Sequence, residues 1–158
     1  GRVQLQARVF DLAQLVADVA EDFALLAQEN NREVRLNSLP AAPVLADPKH
    51  VRQILHNLFT NALKHGQGHI HVRLTQQRET FVLLIANGVR AGSSAQAETL
   101  GLGLRVVDTL LGLQPDIKCR RRRGRRDYLV RLCFPTSSQA VTAKIGAYSL
   151  QPASDPGI

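Results

Sequence analysis

Amide and basic side chains recur along one side of a predicted helix. Gln53, Asn57, Asn61 and Lys64 follow at intervals of four, four and three residues, with His65 beside them. This spacing aligns the first four on one face of an α-helix. Amide oxygens suit Mg²⁺, which keeps several waters and bridges to substrate phosphates, and a lysine supplies a point charge for a phosphate. The stripe predicts a site for an anionic ligand, and an ordinary solvated helix face is the alternative that spacing alone leaves open.

A glycine pair marks a second candidate segment. Gly101, Leu102 and Gly103 come directly before Leu104, where an apolar helical pattern begins. Glycines let a backbone approach a phosphate closely, and the free N–H groups and dipole of a helix N-terminus favour an anion. A plain loop-to-helix turn is the alternative for so short a motif.

A polar residue ends the most apolar predicted strand. Asn87 and Gly88 follow the run TFVLLIA, which starts at Thr80. A polar side chain at a strand end above a cleft can bind the edge of a base. Taken alone, the pair is equally typical of an ordinary turn.

The helix that carries the amide stripe has its own start and stop signals. Asp47 predicts an N-cap, and Pro48 suits the first helical position. Gly66 predicts a left-handed residue that closes the helix. The opposite face is apolar at helical spacing and should be buried: Val51, Ile54, Leu55, Leu58, Phe59, Ala62 and Leu63.

Periodicity predicts the elements around this helix. An extended or irregular segment precedes a long helix that Asp11 caps. Strands, a helix and a hairpin follow: Glu33–Asn37, His69–Thr75, Thr80–Ala86, Leu104–Leu111, Asp116–Arg123 and Arg125–Phe134. Because hairpins join most strands, we predict an α/β fold: a two-layer α/β sandwich with a mixed, mostly antiparallel sheet covered on one face by three helices.

Composition limits the class of protein. The 158 residues are 44% hydrophobic and 21% charged, which indicates one globular domain, predicted over 1–135, with a linker or tail over 136–158. Two cysteines argue against a disulfide framework or a structural zinc site. No run approaches a membrane span of about 18 apolar residues, and no signal peptide is evident, so we expect a cytoplasmic domain. The chain begins without Met, which indicates a piece of a longer parent that could be anchored in the inner membrane.

Positive charge is concentrated in one hairpin. The net charge is +7, and seven Lys and Arg residues lie between Lys118 and Arg126. A solvated hairpin is the favoured interpretation, and docking to an acidic partner such as a receiver domain is another. Nucleic-acid binding is not expected, because Tyr128 is the one aromatic residue close to the run and base stacking is poorly supported.

The order of these motifs resembles the ATP-binding catalytic domain of sensor histidine kinases. NLFTNALKH in the central helix, a strand ending in NG, a loop, GLGL opening a helix and a hairpin ending in FP occur in that order. That domain has the Bergerat fold and belongs to the superfamily shared with DNA gyrase B, Hsp90 and MutL. The resemblance covers roughly Phe10 to Pro135 and implies ATP and Mg²⁺ as cofactors.

The resemblance implies roles on the central helix. Asn57 matches the asparagine that helps to hold the Mg²⁺ ion bridging the ATP phosphates, and Asn61 matches a second asparagine close to phosphate or ribose. Lys64 and His65 match positions that face phosphate and nucleotide. Gln53 occupies the place where the superfamily's ATPases carry a catalytic glutamate, which a kinase does not need.

The glycine segments match two further family motifs. Gly101, Leu102, Gly103 and Leu104 match the glycine box beneath the phosphates. The loop from Val89 to Leu100 matches the lid that covers ATP, and its small residues lead us to expect a mobile segment.

The first glycine box is degenerate. The family has DxGxG at the end of the central strand, and here the aspartate position falls on Ala86 and the last glycine on Arg90. A lost acceptor in a buried base pocket costs about 1–3 kcal/mol, roughly ten- to hundredfold in affinity. A shift of one residue would put Asn87, followed by Gly88, in the acceptor role.

The family implies a phosphotransfer function. The domain would bind Mg-ATP and transfer the γ-phosphoryl group to a histidine on a separate dimerisation domain of the same, homodimeric parent, and a response-regulator receiver domain would be the next partner. None of the five histidines here is followed by Asp or Glu, so the acceptor histidine is expected elsewhere. The alternative is a non-catalytic pseudo-kinase domain that acts through protein contacts.

Overall fold

In the computed structural model, which describes residues 5–90 and 101–140, the chain forms three long helices and two sheets. The elements in chain order are β1 (Arg8–Asp11), α1 (Leu12–Glu29), β2 (Val34–Leu36), β3 (Pro43–Ala46), α2 (Pro48–His65), β4 (Gln67–Gln77), β5 (Thr80–Gly88), α3 (Gly101–Gly112), β6 (Lys118–Arg123) and β7 (Asp127–Pro135). Most of the predicted lid and most of the predicted tail lie outside the described residues.

The main sheet has five strands in the order β2-β4-β5-β7-β6. β2 pairs with β4 in parallel, and the other three pairings are antiparallel. β1 and β3 form a separate antiparallel pair. The predicted two-layer fold, with a mixed and mostly antiparallel sheet, is therefore confirmed.

The core lies between the sheet and the helices. Alternate side chains of the central strands point toward the helices, and Leu74, Leu83 and Leu132 are at most 1% exposed. Phe59 of α2 is fully buried and stacks on Phe23 of α1 with ring centroids 5.3 Å apart. Each such side chain contributes about 1.5–3 kcal/mol through burial, so the apolar stripe of α2 holds its polar stripe in a fixed orientation.

The N-terminus of α2 begins as predicted. The Asp47 carboxylate accepts from the backbone N–H of Lys49 at 3.0 Å and from that of Gln6 at 2.8 Å. Burial raises the pKa of the Asp47 carboxyl, but those N–H groups and nearby His50 outweigh it, so the pKa lies below its ordinary value. The charged carboxylate is thus the form that the folded chain stabilises.

The C-terminus of α2 ends differently from the prediction. Gly66 has φ −95° and ψ 172°, which is extended and not left-handed, so that expectation was wrong. The Arg32 guanidinium donates to the carbonyls of Leu63 at 2.9 Å and Ala62 at 3.0 Å, so these helix-end acceptors need no left-handed turn. Glycine is required at position 66 for space, because a Cβ there would lie 2.9 Å from Cγ of Asn87.

The C-terminal strand extends the packed part of the chain. Thr136 forms a β-bridge with Val44, and its N–H donates to the Glu79 carbonyl at 2.9 Å. Ala140 is only 6% exposed. The packed structure therefore continues past residue 135, where the sequence predicted the linker to begin.

Candidate functional site

The amide stripe of α2 lies on its outer side. Gln53 is exposed, and its Nε2 donates to Oδ1 of half-buried Asn57 at 3.1 Å. A carbonyl oxygen has two lone pairs, so the Asn57 oxygen keeps one for a further ligand. Lys64 is exposed and His65 half-buried in the last turn. One helix face therefore presents a fixed amide oxygen and, two turns further on, a cation.

Asn61 joins the stripe to the glycine segment. Its side chain is 9% exposed, and its buried Nδ2 has no hydrogen-bond partner among residues 5–90 and 101–140. A Cβ on Gly103 would lie 3.0 Å from Asn61 Oδ1, so the first turn of α3 lies directly against this amide. An unpaired buried donor costs about 1–3 kcal/mol. The site therefore has a place for an acceptor at the junction of α2 and α3.

The N-terminus of α3 points into the same region. α3 begins at Gly101, three residues earlier than predicted, and Leu104 packs on the core. The first N–H groups of a helix have no partner within the helix and favour an anion. Gly103 brings this helix end beside Asn61, so two motifs far apart in sequence form one site.

Gln114 is a positioning residue that the sequence analysis missed. Its side chain is 5% exposed, and its Oε1 accepts from the backbone N–H of Asp47 at 2.9 Å. This bond ties the chain after α3 to the start of α2. The one sequence signal for it is a polar residue two positions after Gly112, where α3 ends.

Asn87 lies on the helix side of the sheet. It is 6% exposed, and its amide contacts Gly66 at the end of α2. Its Nδ2 donates to the Gly88 carbonyl at 2.8 Å. Since the amide nitrogen is engaged, Oδ1 is the atom that Asn87 offers as an acceptor.

Ala86 lies on the opposite side of β5. It pairs with His71 of β4 and Leu129 of β7, and side chains alternate along a strand. Its side chain therefore points away from the helices and from Asn87. The structure does not bring Ala86 together with the other predicted site residues.

The backbone after Asn87 is held on both sides. A Cβ on Gly88 would lie 2.9 Å from the carbonyl oxygen of Gln67, so only glycine fits this close approach of β4. The Val89 N–H donates to the Arg126 carbonyl at 3.0 Å, and the Val89 carbonyl accepts from Gln67 Nε2 at 3.3 Å. The start of the predicted lid is thus fixed, whereas residues 91–100 lie outside the described part.

The donor set fits one kind of cation. Within the described residues, no group of three or more His, Cys, Asp or Glu side chains could hold a metal ion. A cation at the α2 stripe would therefore take the Asn57 oxygen and complete its shell with water and ligand phosphates. Mg²⁺ binds in this way, through one or two protein oxygens and its substrate.

Residues 46–138 match the family model described as histidine kinase-, DNA gyrase B-, and HSP90-like ATPase. A curated protein of Oryza sativa subsp. japonica, named "Probable histidine kinase 6", is 34% identical over 119 residues, covering 72% of this chain. The chain spans 12% of the length of that relative.

Solved structures of histidine kinases have the same fold. Acinetobacter baumannii histidine kinase AdeS superimposes with a TM-score of 0.67 at 17% identity, over 85% of this chain and 69% of that one. Full-length ShkA in complex with AMPPNP superimposes with a TM-score of 0.69 at 22% identity, over 87% of this chain and 33% of that one. Histidine kinase ThkA in complex with the response regulator TrrA superimposes with a TM-score of 0.70 at 17% identity, over 84% of this chain and 42% of that one.

In residues 5–90 and 101–140, no helix is both long and apolar enough to cross a membrane.

Proposed function

The chain belongs to the histidine kinase-, DNA gyrase B-, and HSP90-like ATPase family, and on that premise we propose that it is the catalytic domain of a sensor histidine kinase. It binds Mg-ATP between α2 and α3 and delivers the γ-phosphoryl group to a histidine on the dimerisation domain of its parent. The contact of Gly103 with Asn61, whose buried Nδ2 has no partner in the part of the chain that the structure describes, carries this proposal.

The phosphate side of the site uses charge and positioning. Asn57 holds Mg²⁺ through its amide oxygen, Lys64 contacts a phosphate, and the N–H groups from Gly101 to Gly103 bind a second phosphate. The metal, when bound, neutralises the charge that develops on the transferred group. Catalysis of phosphoryl transfer needs little more than this, since most of the barrier is lowered by positioning and electrostatics.

Gln53 favours transfer over hydrolysis. A neutral amide cannot take a proton from water, so position 53 supplies no general base. Its hydrogen bond orients Asn57 instead. A histidine side chain is itself a nucleophile and needs no such base, which suits a kinase with a protein acceptor.

The adenine side of the site depends on Asn87. We assign to its Oδ1 the role of accepting from the exocyclic amino group of the base. Gly66 leaves room for this amide, and Gly88 lets the strand end approach β4. His65, in the last turn of α2, faces the nucleotide. Ala86 has no role in this arrangement.

The partners follow from the same proposal. ThkA has been crystallised with a response regulator, and a receiver domain is the corresponding partner proposed here. The parent is proposed to be a homodimer, and its catalytic domain to act in the cytoplasm. The family match ends at residue 138, and Ala140 is still buried, so the domain is proposed to extend to about residue 140, beyond the predicted end at 135, before a linker begins.

The test is phosphoryl transfer in two polypeptides. The 158-residue chain is mixed with the dimerisation domain of its parent and γ-labelled ATP, with Mg²⁺ or with EDTA. We expect Mg²⁺-dependent label on one histidine, and its loss in Asn57→Ala. Nucleotide binding without transfer would contradict the kinase activity, and no binding at millimolar ATP would favour the pseudo-kinase alternative.

A further inference from the structure

The face of the main sheet opposite the helices is strongly basic. Strand register places six permanent cations on it: Arg35, Arg73, Lys118, Arg120, Arg122 and Arg131. We call this set the basic sheet face. One row of paired residues crosses four strands through Arg73, Leu84, Arg131 and Arg120. Three residues of the basic run, Lys118, Arg120 and Arg122, thus form one edge of a wider surface.

Acidic side chains neutralise only part of this face. Arg35 pairs with Glu33 at 3.1 Å, and Arg122 pairs with Asp127 at 3.5 Å. The remaining cations, which are Arg73, Lys118, Arg120 and Arg131, are exposed and make no ion pair within the described ranges 5–90 and 101–140. The face therefore carries a net positive charge that the described part of the chain leaves unbalanced.

Protection of the sheet edge does not explain this charge. β6 is an edge strand, and charged edges prevent pairing with other chains. Arg131, however, lies on the interior strand β7, which is paired with β5 on one side and with β6 on the other. Arg131 is directly opposite Arg120, and like charges in this position destabilise a sheet. Such a pair gains a favourable role when an anionic partner lies over both.

The centre of the face is apolar. Leu84, Ala86, Leu129 and Cys133 are half-buried between the flanking arginines. At the β2 side, a depression of about 470 Å³ is lined by Arg35, Leu36, Asn37, His71, Val72 and Arg73. An apolar strip bordered mainly by arginine has the composition of a protein interface. The guanidinium fork also binds a carboxylate in two places at once.

We propose that the basic sheet face docks an acidic protein segment, with its apolar residues on the central strip and its carboxylates on Arg73, Arg131 and Arg120. Neighbouring strands lie about 4.8 Å apart, so Arg73 and Arg131 are separated by about 10 Å across Leu84. Carboxylates on both sides of one apolar side chain fit this spacing.

Other anionic partners fit this face less well. Among the described residues this face has no Phe, Tyr or Trp side chain, so His71 is the one ring available for stacking with single-stranded nucleic acid. In the described part of the chain, Leu36 at the β2 edge is the one large exposed apolar side chain beside this face, which is too little for insertion into a lipid interface. The face lies on the other side of the sheet from Asn57 and Asn87, so this inference does not rest on the proposed function.

The test uses a fluorescein-labelled peptide of repeated Glu-Ser-Leu-Ser, which presents Glu and Leu on one face of an extended strand. It is titrated with the 158-residue chain and followed by anisotropy. We expect binding at about 0.05 M NaCl that weakens about tenfold or more at about 0.5 M. Arg73→Gln/Arg131→Gln should lose binding about tenfold. The melting temperature of this double variant should not fall, because the repulsion between Arg131 and the opposed Arg120 has been removed.

The matched control removes the same charge elsewhere. Arg8→Gln/Lys49→Gln changes two exposed cations away from this face and should keep the peptide affinity within about twofold. Equal losses in both double variants would overturn the proposal, because they would show general charge attraction. Tighter binding of duplex DNA or of vesicles containing phosphatidylglycerol than of the peptide would overturn it as well.

Discussion

Single amides carry most of the chemistry of this site. Asn57 and Asn61 lie one turn apart on α2, and Asn87 lies at the end of β5. The groups left for a ligand are a second lone pair on Asn57 Oδ1, the Nδ2 of Asn61 and the Oδ1 of Asn87. A neutral amide both donates and accepts, so it serves a charged phosphate and a base edge without a carboxylate that would repel phosphate. The residues most sensitive to substitution should therefore be these amides.

Asn87→Ala should weaken binding of ADP by about ten- to hundredfold, because the exocyclic amino group of the base would lose its acceptor. Isothermal titration calorimetry with ADP measures this directly. Ala86→Ser is the matched control on the opposite side of β5 and should change the affinity by less than about twofold. A large effect of Ala86→Ser with none of Asn87→Ala would reverse the assignment.

At the scale of elements, contacts between distant segments fix the two helices of the site. Arg32, from the turn before β2, holds the C-terminus of α2, and Gln114, after α3, holds its N-terminus. The start of α3 then depends on a small residue at 103, where the helices meet over Asn61. The way α2 and α3 pack together therefore sets the geometry of the proposed phosphate side of the site.

Gly103→Ala should reduce nucleotide affinity about tenfold, because the new Cβ would press on Asn61 Oδ1 and move the start of α3. Gly112→Ala is the control in the same helix, since nothing lies within 4 Å of a Cβ there. It should leave affinity unchanged and raise stability by up to about 1 kcal/mol. Fluorescent-nucleotide titration and thermal melting separate the two effects, and equal affinities for both variants would contradict the role of Gly103.

The helices and strands were largely predictable, and the contacts at their ends were not. Apolar periodicity and the caps Asp11 and Asp47 are local signals, so α1 and α2 follow from the sequence. The role of Gly66 is not local, because its conformation depends on Arg32 and its need for space depends on Asn87. The sequence also did not predict which face of the sheet Ala86 lies on, because a shift of one residue at the end of β5 would move its side chain to the other face.

At the scale of the whole molecule, the sheet separates two surfaces. The helix side holds the candidate nucleotide site, and the opposite side holds the basic sheet face. Asp47, at the start of α2, connects several segments on the helix side. Its carboxylate accepts from the N–H groups of Gln6 and Lys49, and its own N–H donates to the Gln114 side chain. This buried carboxylate links stability to pH.

Folding lowers the pKa of the Asp47 carboxyl. The carboxylate therefore stabilises the fold fully above the unfolded-state pKa of about 3.9, and this stabilisation is lost as the pH falls toward the lower folded-state pKa. Asp47→Asn should therefore be less stable at pH 7 by about 1–3 kcal/mol, and the difference should shrink near pH 3. Urea unfolding across this range measures it. The exposed control Asp116→Asn should follow the unsubstituted chain, and a constant deficit of Asp47→Asn at all pH values would exclude the linkage.

Binding of Mg-ATP by the α2 stripe and the start of α3 is measured by calorimetric titration of the 158-residue chain with ATP. We predict that Mg²⁺ strengthens binding about tenfold or more over EDTA, and that Asn57→Ala removes this gain while keeping the weaker, metal-free binding. Absence of binding at millimolar ATP with Mg²⁺, or a gain from Mg²⁺ that survives in Asn57→Ala, would contradict the account.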